Sequence, residues 1–147
     1  MFEPQEQECT ELIRYILGFD PGRDKCGIAV MTIDRQVYYH QVVAASDAIA
    51  TVQHLHQQYP FTQIVIGDQT STQTWQQQLT TAFTPPIPIA PVDERYSTLE
   101  ARDRYWQMYP PQGLARLLPQ SLRSIPRPID DIVAILLIER YLAANAA

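Results

Sequence analysis

The 147-residue sequence predicts an α/β fold: a five-stranded mixed sheet with helices on both faces. Three observations carry this. The first three strand-like segments are joined only by short turns, so they form an antiparallel meander. After them, segments of helical and strand character alternate. The last segment contains Ile132 to Ile138, a run apolar on every side that only an interior can accommodate.

Taken in order, Arg14 to Asp20 (RYILGFD) is a short apolar run closed by Pro21-Gly22, the pattern of a strand buried on both faces. Cys26 to Ile33 is the second strand, Asp34-Arg35-Gln36 a tight connection, and Val37 to Ala44 the third strand. Ser46 is the expected N-cap of a helix whose Ile49, Val52, Leu55 and Tyr59 share one face and which Pro60 stops. Gln63 to Gly67 returns to strand. Thr70 to Phe83 reads as a polar helix with a thin apolar stripe of Trp75, Leu79, Ala82 and Phe83. Ile87 to Val92 is the fifth strand, and Pro88 and Pro91 favour an edge position for it. Ser97 opens a helix through about Met108, with Glu100 as its expected capping-box partner. Residues 85–128 hold nine of the twelve prolines, so this stretch is a stiffened excursion around that helix and not a linker. Ile129 to Ala144 forms the final helix. The order β-β-β-α-β-α-β-α-α matches the ribonuclease-H-like fold, with residues 14–147 as a single domain behind an acidic tail, 1–13.

Composition narrows the functional classes. No apolar run approaches the ~18–20 residues that span a bilayer. The first thirteen residues carry Glu3, Glu6, Glu8 and Glu11 and no base, unlike a signal or transit peptide. Cys9 and Cys26 have neither metal-ligand nor disulfide-framework spacing, so the expected setting is a reducing cytoplasm without membrane attachment. The net charge of −5 argues against a nucleic-acid partner. Its distribution argues less firmly, because Arg95, Arg102, Arg104, Arg116, Arg123 and Arg127 outnumber Glu100 and Asp103 between residues 95 and 128. Arginine suits bidentate phosphate contact, although it also makes ordinary surface ion pairs.

Acidic residues stand where ligands gather in open sheets, at strand ends and helix starts. Asp20 ends the first strand, Asp93 and Glu94 follow the fifth, and Asp130 and Asp131 open the last helix. Each has a plain structural alternative: a turn at Asp20-Pro21-Gly22, a surface pair with Arg95, an N-cap at Asp130. If they converge, their mutual repulsion calls for a cation, and oxygen-only ligands select Mg²⁺ or Mn²⁺ over zinc. Such a cluster suits phosphodiester cleavage, where one ion activates water and another steadies the leaving oxygen. His54 and His56 point to different faces of a helix, and His40 reads as an outward-facing strand residue. All three are expected at the surface or its boundary. Trp75, Tyr96, Tyr105 and Trp106 are candidates for stacking on bases, with core or rim packing as the commoner use. The glycines spell no dinucleotide or P-loop fingerprint.

LGFDPGRDKCGIAV (17–30), QIVIGD (63–68), VDERYSTLEAR (92–102) and IDDIVAILLIERYL (129–142) resemble, in order and spacing, the YqgF/RuvX family. Its members are ribonuclease-H-like, Holliday-junction-resolvase-type proteins implicated in trimming the small-subunit ribosomal RNA precursor. The resemblance implies a Mg²⁺- or Mn²⁺-dependent nuclease with Asp20, Glu94 and Asp130 as metal-holding catalytic acids. Its partner would be nucleic acid, either an rRNA precursor or branched DNA, and the protein a monomer or a homodimer. Arg23 and Arg95 are the candidate phosphate contacts. Asp131 stands where the family usually has a small apolar residue, which leaves Asp130 and Asp131 as alternatives for the third acid.

Two departures accompany the resemblance. The family's Gly-Leu-Pro and glycine-containing loop is replaced by Gly67-Asp68-Gln69-Thr70-Ser71, with Asp68 a candidate fourth acid. The basic stretch before the last helix is reduced to Arg123 and Arg127. A non-catalytic nucleic-acid-binding or ribosome-assembly factor is therefore the main rival. A sugar-kinase or actin-like ATPase fragment, suggested by Asp20-Pro21-Gly22 and Gly27, is the weaker one, since a single domain cannot close around a nucleotide.

Overall fold

The computed structural model describes residues 13–69 and 71–145; Cys9 and the four glutamates of the acidic tail lie outside them. The meander forms as expected: β1 (Tyr15–Asp20), β2 (Lys25–Thr32) and β3 (Val37–Ala44). Then come α1 (Ala48–Gln58), β4 (Gln63–Gly67), α2 (Thr72–Thr81), β5 (Ile89–Val92), α3 (Ser97–Met108) and α4 (Asp130–Ala144). The sheet order is β3-β2-β1-β4-β5, with β1 antiparallel to β2 and parallel to β4, and β4 parallel to β5. β5 is an edge strand, where Pro91 leaves the fewest ladder bonds unmade, and Pro88 falls just before it.

Alternation along the central strands divides the core into two layers. Leu17 and Phe19 of β1, with Ile28 and Val30 of β2 and Ile64 and Ile66 of β4, bury against Val52, Leu55 and Leu79 of α1 and α2. Ile16, Ala29, Met31 and Val65 point the other way, onto α3 and α4. Every residue from Ile132 to Ile138 is buried, so the helix apolar all round lies between the sheet and α3. Two glycines allow this close seating. A Cβ at Gly18 would meet the Ala134 carbonyl, and one at Gly27 would overlap the Asp130 carbonyl.

Two local expectations are corrected. Ser46 does not cap α1: residues Ala45–Asp47 form a 3₁₀ turn, and Asp47 occupies the N-cap without a side-chain bond. The Ser97–Glu100 capping box does not form either. Tyr96 is the N-cap of α3, Ser97 is buried, and Glu100 accepts a hydrogen bond from Arg140 Nη2 at 3.0 Å. The proline-rich stretch after α3 contains two 3₁₀ turns, Gly113–Leu117 and Gln120–Leu122. Among the described residues, no helix is long and apolar enough to cross a membrane.

Candidate active site

β1, β4 and β5 run parallel, so their carboxyl ends lie along one edge of the sheet. Asp20 ends β1, Asp68 follows β4, and Asp93 and Glu94 follow β5. Phe19 faces α1 and α2, so alternation turns Asp20 toward α4. The register sets Asp20 opposite Gly27, and the Asp130 backbone rests on Gly27. The start of α4 is thereby held beside the end of β1.

Asp20 and Glu94 meet. Their side chains are within hydrogen-bonding reach, a contact two carboxylates make only by sharing a proton. Burial first, and then the charges of Glu94 and Asp130, push the Asp20 carboxyl up to about 8; its hydrogen bond to Glu94 adds to the shift. Burial also raises Glu94, and Asp68 adds to this, while the bond from Asp20 and the charge of Arg140 oppose it. Glu94 is only 6% exposed, and its Oε1 is buried with no hydrogen-bond partner among the described residues. Gly67 makes room for it, since a Cβ there would overlap the Glu94 carboxylate.

The neighbouring pairs resolve differently. Asp93 is the surface member of its pair: its carboxylate accepts from the Arg95 backbone N–H at 2.8 Å and lies 3.4 Å from Arg95 Nε. Asp131 is 2% exposed and locked, with Oδ2 2.7 Å from His40 Nδ1 and Oδ1 3.0 Å from Arg127 Nη1. Although its burial opposes ionisation, these bonds and charges hold its carboxyl below the usual range. Asp131 therefore faces β3, and Asp130 faces the Asp20 side. No ion pair engages Asp20 or Asp130 among the described residues.

His40 corrects the outward-facing expectation: it lies on the α4 side of β3 as the partner of Asp131. His54 is exposed, and His56 packs edge-on against Phe61 and Phe83. Asp68 contributes in two ways. Its Oδ1 accepts from the Glu94 backbone N–H at 3.3 Å, and its own N–H donates to the Val92 carbonyl at 3.1 Å. Both bonds tie the β4 and β5 ends together. Arg23 and Arg95 are exposed at the margin.

Among the described residues, no three Asp, Glu, His or Cys side chains stand as a ready metal-ligating group. What the site offers is an Asp20–Glu94 pair in contact, with Asp130 close enough to act on Asp20 by its charge. The donor set is all oxygen, and one buried oxygen lacks a partner. That chemistry fits a hard divalent cation, which would replace the shared proton.

Residues 14–144 match the family described as RuvX: Holliday junction resolvase. The chain belongs to the RuvX family. No curated protein matches the sequence. Among solved structures, RuvC of T. thermophilus in complex with a Holliday junction substrate is similar, with 16% identity and a TM-score of 0.58. That alignment covers 89% of this chain and 92% of RuvC. A second Thermus thermophilus RuvC structure aligns at 14% identity and a TM-score of 0.55, covering 88% and 93%. These likenesses establish the shared fold.

For a RuvX protein, the unanticipated residues here are Arg140 and the His40–Asp131–Arg127 cluster. Arg140 Nη1 donates to the Asp93 carbonyl at 2.6 Å and so steadies the loop that carries Glu94. Its spacing from Asp93 in the sequence gives no hint of this contact. Arg127 lies before α4, with Pro128 between, so its spacing from Asp131 gives no helical-pair signal either.

Proposed function

We propose that this RuvX-family protein is a divalent-metal-dependent nuclease that hydrolyses phosphodiester bonds of structured nucleic acid. Its substrate is the small-subunit ribosomal RNA precursor or branched, Holliday-junction-type DNA. The observation that carries the reading is the Asp20–Glu94 contact with its unpartnered buried oxygen, beside Asp130. A carboxylate pair kept together at the cost of raised proton affinity is a common mark of a functional site.

Asp20, Glu94 and Asp130 would hold Mg²⁺ or Mn²⁺, which supplies charge stabilisation at the reacting phosphate. The chain's own contribution is placement. Gly67 admits Glu94 to the sheet edge, and Asp68 fixes the Glu94 backbone. Arg140 anchors the loop at Asp93, and Asp131 holds the first turn of α4 against β3. Asp20, which keeps its proton to about 8 in the metal-free protein, would be the group that gives one up to such a cation. Arg23 and Arg95, both exposed, would contact flanking phosphates.

A binding-only role through residues 95–128 has less support, because its arginines are largely engaged within the protein. Arg104 pairs with Glu139 at 2.8 Å, Arg127 with Asp131, and Arg123 Nε donates to the carbonyls of Ala115 and Leu118.

Cleavage of a precursor rRNA fragment and of a four-way DNA junction, each with Mg²⁺ or Mn²⁺, tests the proposal. The wild type should cut at least one, and Asp20→Asn, Glu94→Gln and Asp130→Asn should reduce cleavage to background. Undiminished cleavage by Asp20→Asn or Asp130→Asn would remove those residues from the reaction.

A further inference from the structure

Of the four aromatic residues that the sequence offers for stacking, three are packed away. Trp75 lies against Phe19, while Tyr105 and Trp106 pack edge-on against each other beside α4. Tyr96 is 75% exposed. Its backbone is left-handed, φ 60° and ψ 10°, a conformation that is uncommon and costly for a bulky side chain. Glycine or asparagine would make this turn at lower cost. The turn alone therefore does not account for a tyrosine.

Arg95 and Tyr96 form a ridge between two cavities. One, of about 550 Å³, contains Glu94 and Asp68. The other, of about 700 Å³, lies on the far side, with Ala90, Val92 and Ala144 as apolar lining and Tyr141, Arg140 and Asn145 as its polar-edged groups. The second volume is within the ~300–1,000 Å³ range of small-ligand pockets. Each of its guanidiniums has a carboxylate beside it, Arg95 with Asp93 at 3.4 Å and Arg140 with Glu100 at 3.0 Å. The Asn145 amide nitrogen donates to the Tyr141 carbonyl at 2.8 Å, which leaves its oxygen as an acceptor. A near-neutral, aromatic-walled pocket with a few polar edges suits a flat uncharged ring better than a phosphate.

We propose that this second cavity takes an unstacked nucleobase from the strand whose phosphate lies at Glu94, with Tyr96 as the stacking platform. The position of the phosphate rests on the nuclease reading; the pocket's preference for a base does not. Base–aromatic stacking tolerates any sequence, because every base has a π face. Extrusion is easiest where the base is already unpaired, so single-stranded or distorted positions would enter first.

The test is metal-free binding, in EDTA, of a fluorescein-labelled four-way DNA junction and a labelled RNA hairpin, followed by anisotropy. Tyr96→Ala should weaken binding to at least one probe by about tenfold. Tyr96→Gly, which suits the left-handed backbone, should weaken it equally, and Tyr96→Trp should retain it. Ala144→Trp, which fills the cavity from the α4 side without touching the carboxylates, should weaken it as Tyr96→Ala does. Tyr96 and Ala144 are both exposed, so folding is not at stake. Affinities of Tyr96→Ala and Ala144→Trp within about twofold of wild type on both probes would overturn the proposal, as would a wild type that binds neither. The expected binding pattern without cleavage under any metal would sink the nuclease reading and leave the pocket standing. Cleavage with binding insensitive to these substitutions would do the reverse. The probe that shows the larger loss identifies DNA or RNA as the source of the base.

Discussion

At Asp20 the folded, metal-free protein holds a proton up to about pH 8, whereas the unfolded chain releases it near 3.8. The folded state thus binds the extra proton between those values, and the stability linked to it falls as pH rises through the window. The melting temperature of the metal-free protein should decline from mildly acidic pH toward 8, and Asp20→Asn should flatten that decline. An identical slope in both proteins would contradict the assignment. Asp131 behaves in the opposite sense. Its lowered value means that its contribution is present above the ordinary carboxyl range and is lost as pH falls through the folded value. Removing its charge leaves Arg127 and His40 facing an uncharged amide in a buried setting. We expect Asp131→Asn to cost about 2–4 kcal/mol in urea denaturation, less than a fully enclosed pair because both partners are partly exposed. A change under about 1 kcal/mol would show the cluster to be incidental.

Among the elements, the glycines decide how closely side chains and helices approach the sheet. A methyl at Gly67 meets the Glu94 side chain, which can swing away. A methyl at Gly27 meets the backbone of Asp130 and Asp131, which cannot move without lifting the start of α4. Gly67→Ala should therefore cost about 1–2 kcal/mol yet abolish cleavage, whereas Gly27→Ala should cost about 3 kcal/mol or more. Urea titration of both variants checks the order, and the reverse order would contradict the seating of α4. The strands were legible because β1, β2 and β4 are apolar runs bounded by turns, and α4 because no surface could accept Ile132 to Ile138. The capping box was not legible. Glu100 is drawn to Arg140, forty residues away, and a local pattern cannot register a non-local partner. The adjacent acids were ambiguous for a related reason. Consecutive helical residues point about 100° apart, so Asp130 and Asp131 must face different neighbours, but only packing says which. His40 on β3 claims Asp131.

On the scale of the whole molecule, three parallel strands end at one edge and a buried helix starts above it, so acids more than seventy residues apart in sequence become neighbours. The sequence located Asp20 and Glu94 at element ends, and the family motif selected Asp130. It did not reveal the ridge at Tyr96 or the cavity beyond it, because both depend on how β5, α3 and α4 meet. The likeness to RuvC extends over nearly all of both chains at low identity, which is what a shared sheet with changed surfaces produces.

Calorimetric titration of Mn²⁺ into the metal-free protein tests the central claim most directly. The wild type should bind Mn²⁺ with an affinity that rises with pH toward about 8, as the Asp20 proton is displaced. Asp20→Asn and Glu94→Gln should abolish the signal, Asp130→Asn should weaken it, and Asp103→Asn, remote from the site, should leave it intact. No binding by the wild type, or equal binding by Asp20→Asn, would contradict a cation held by these carboxylates.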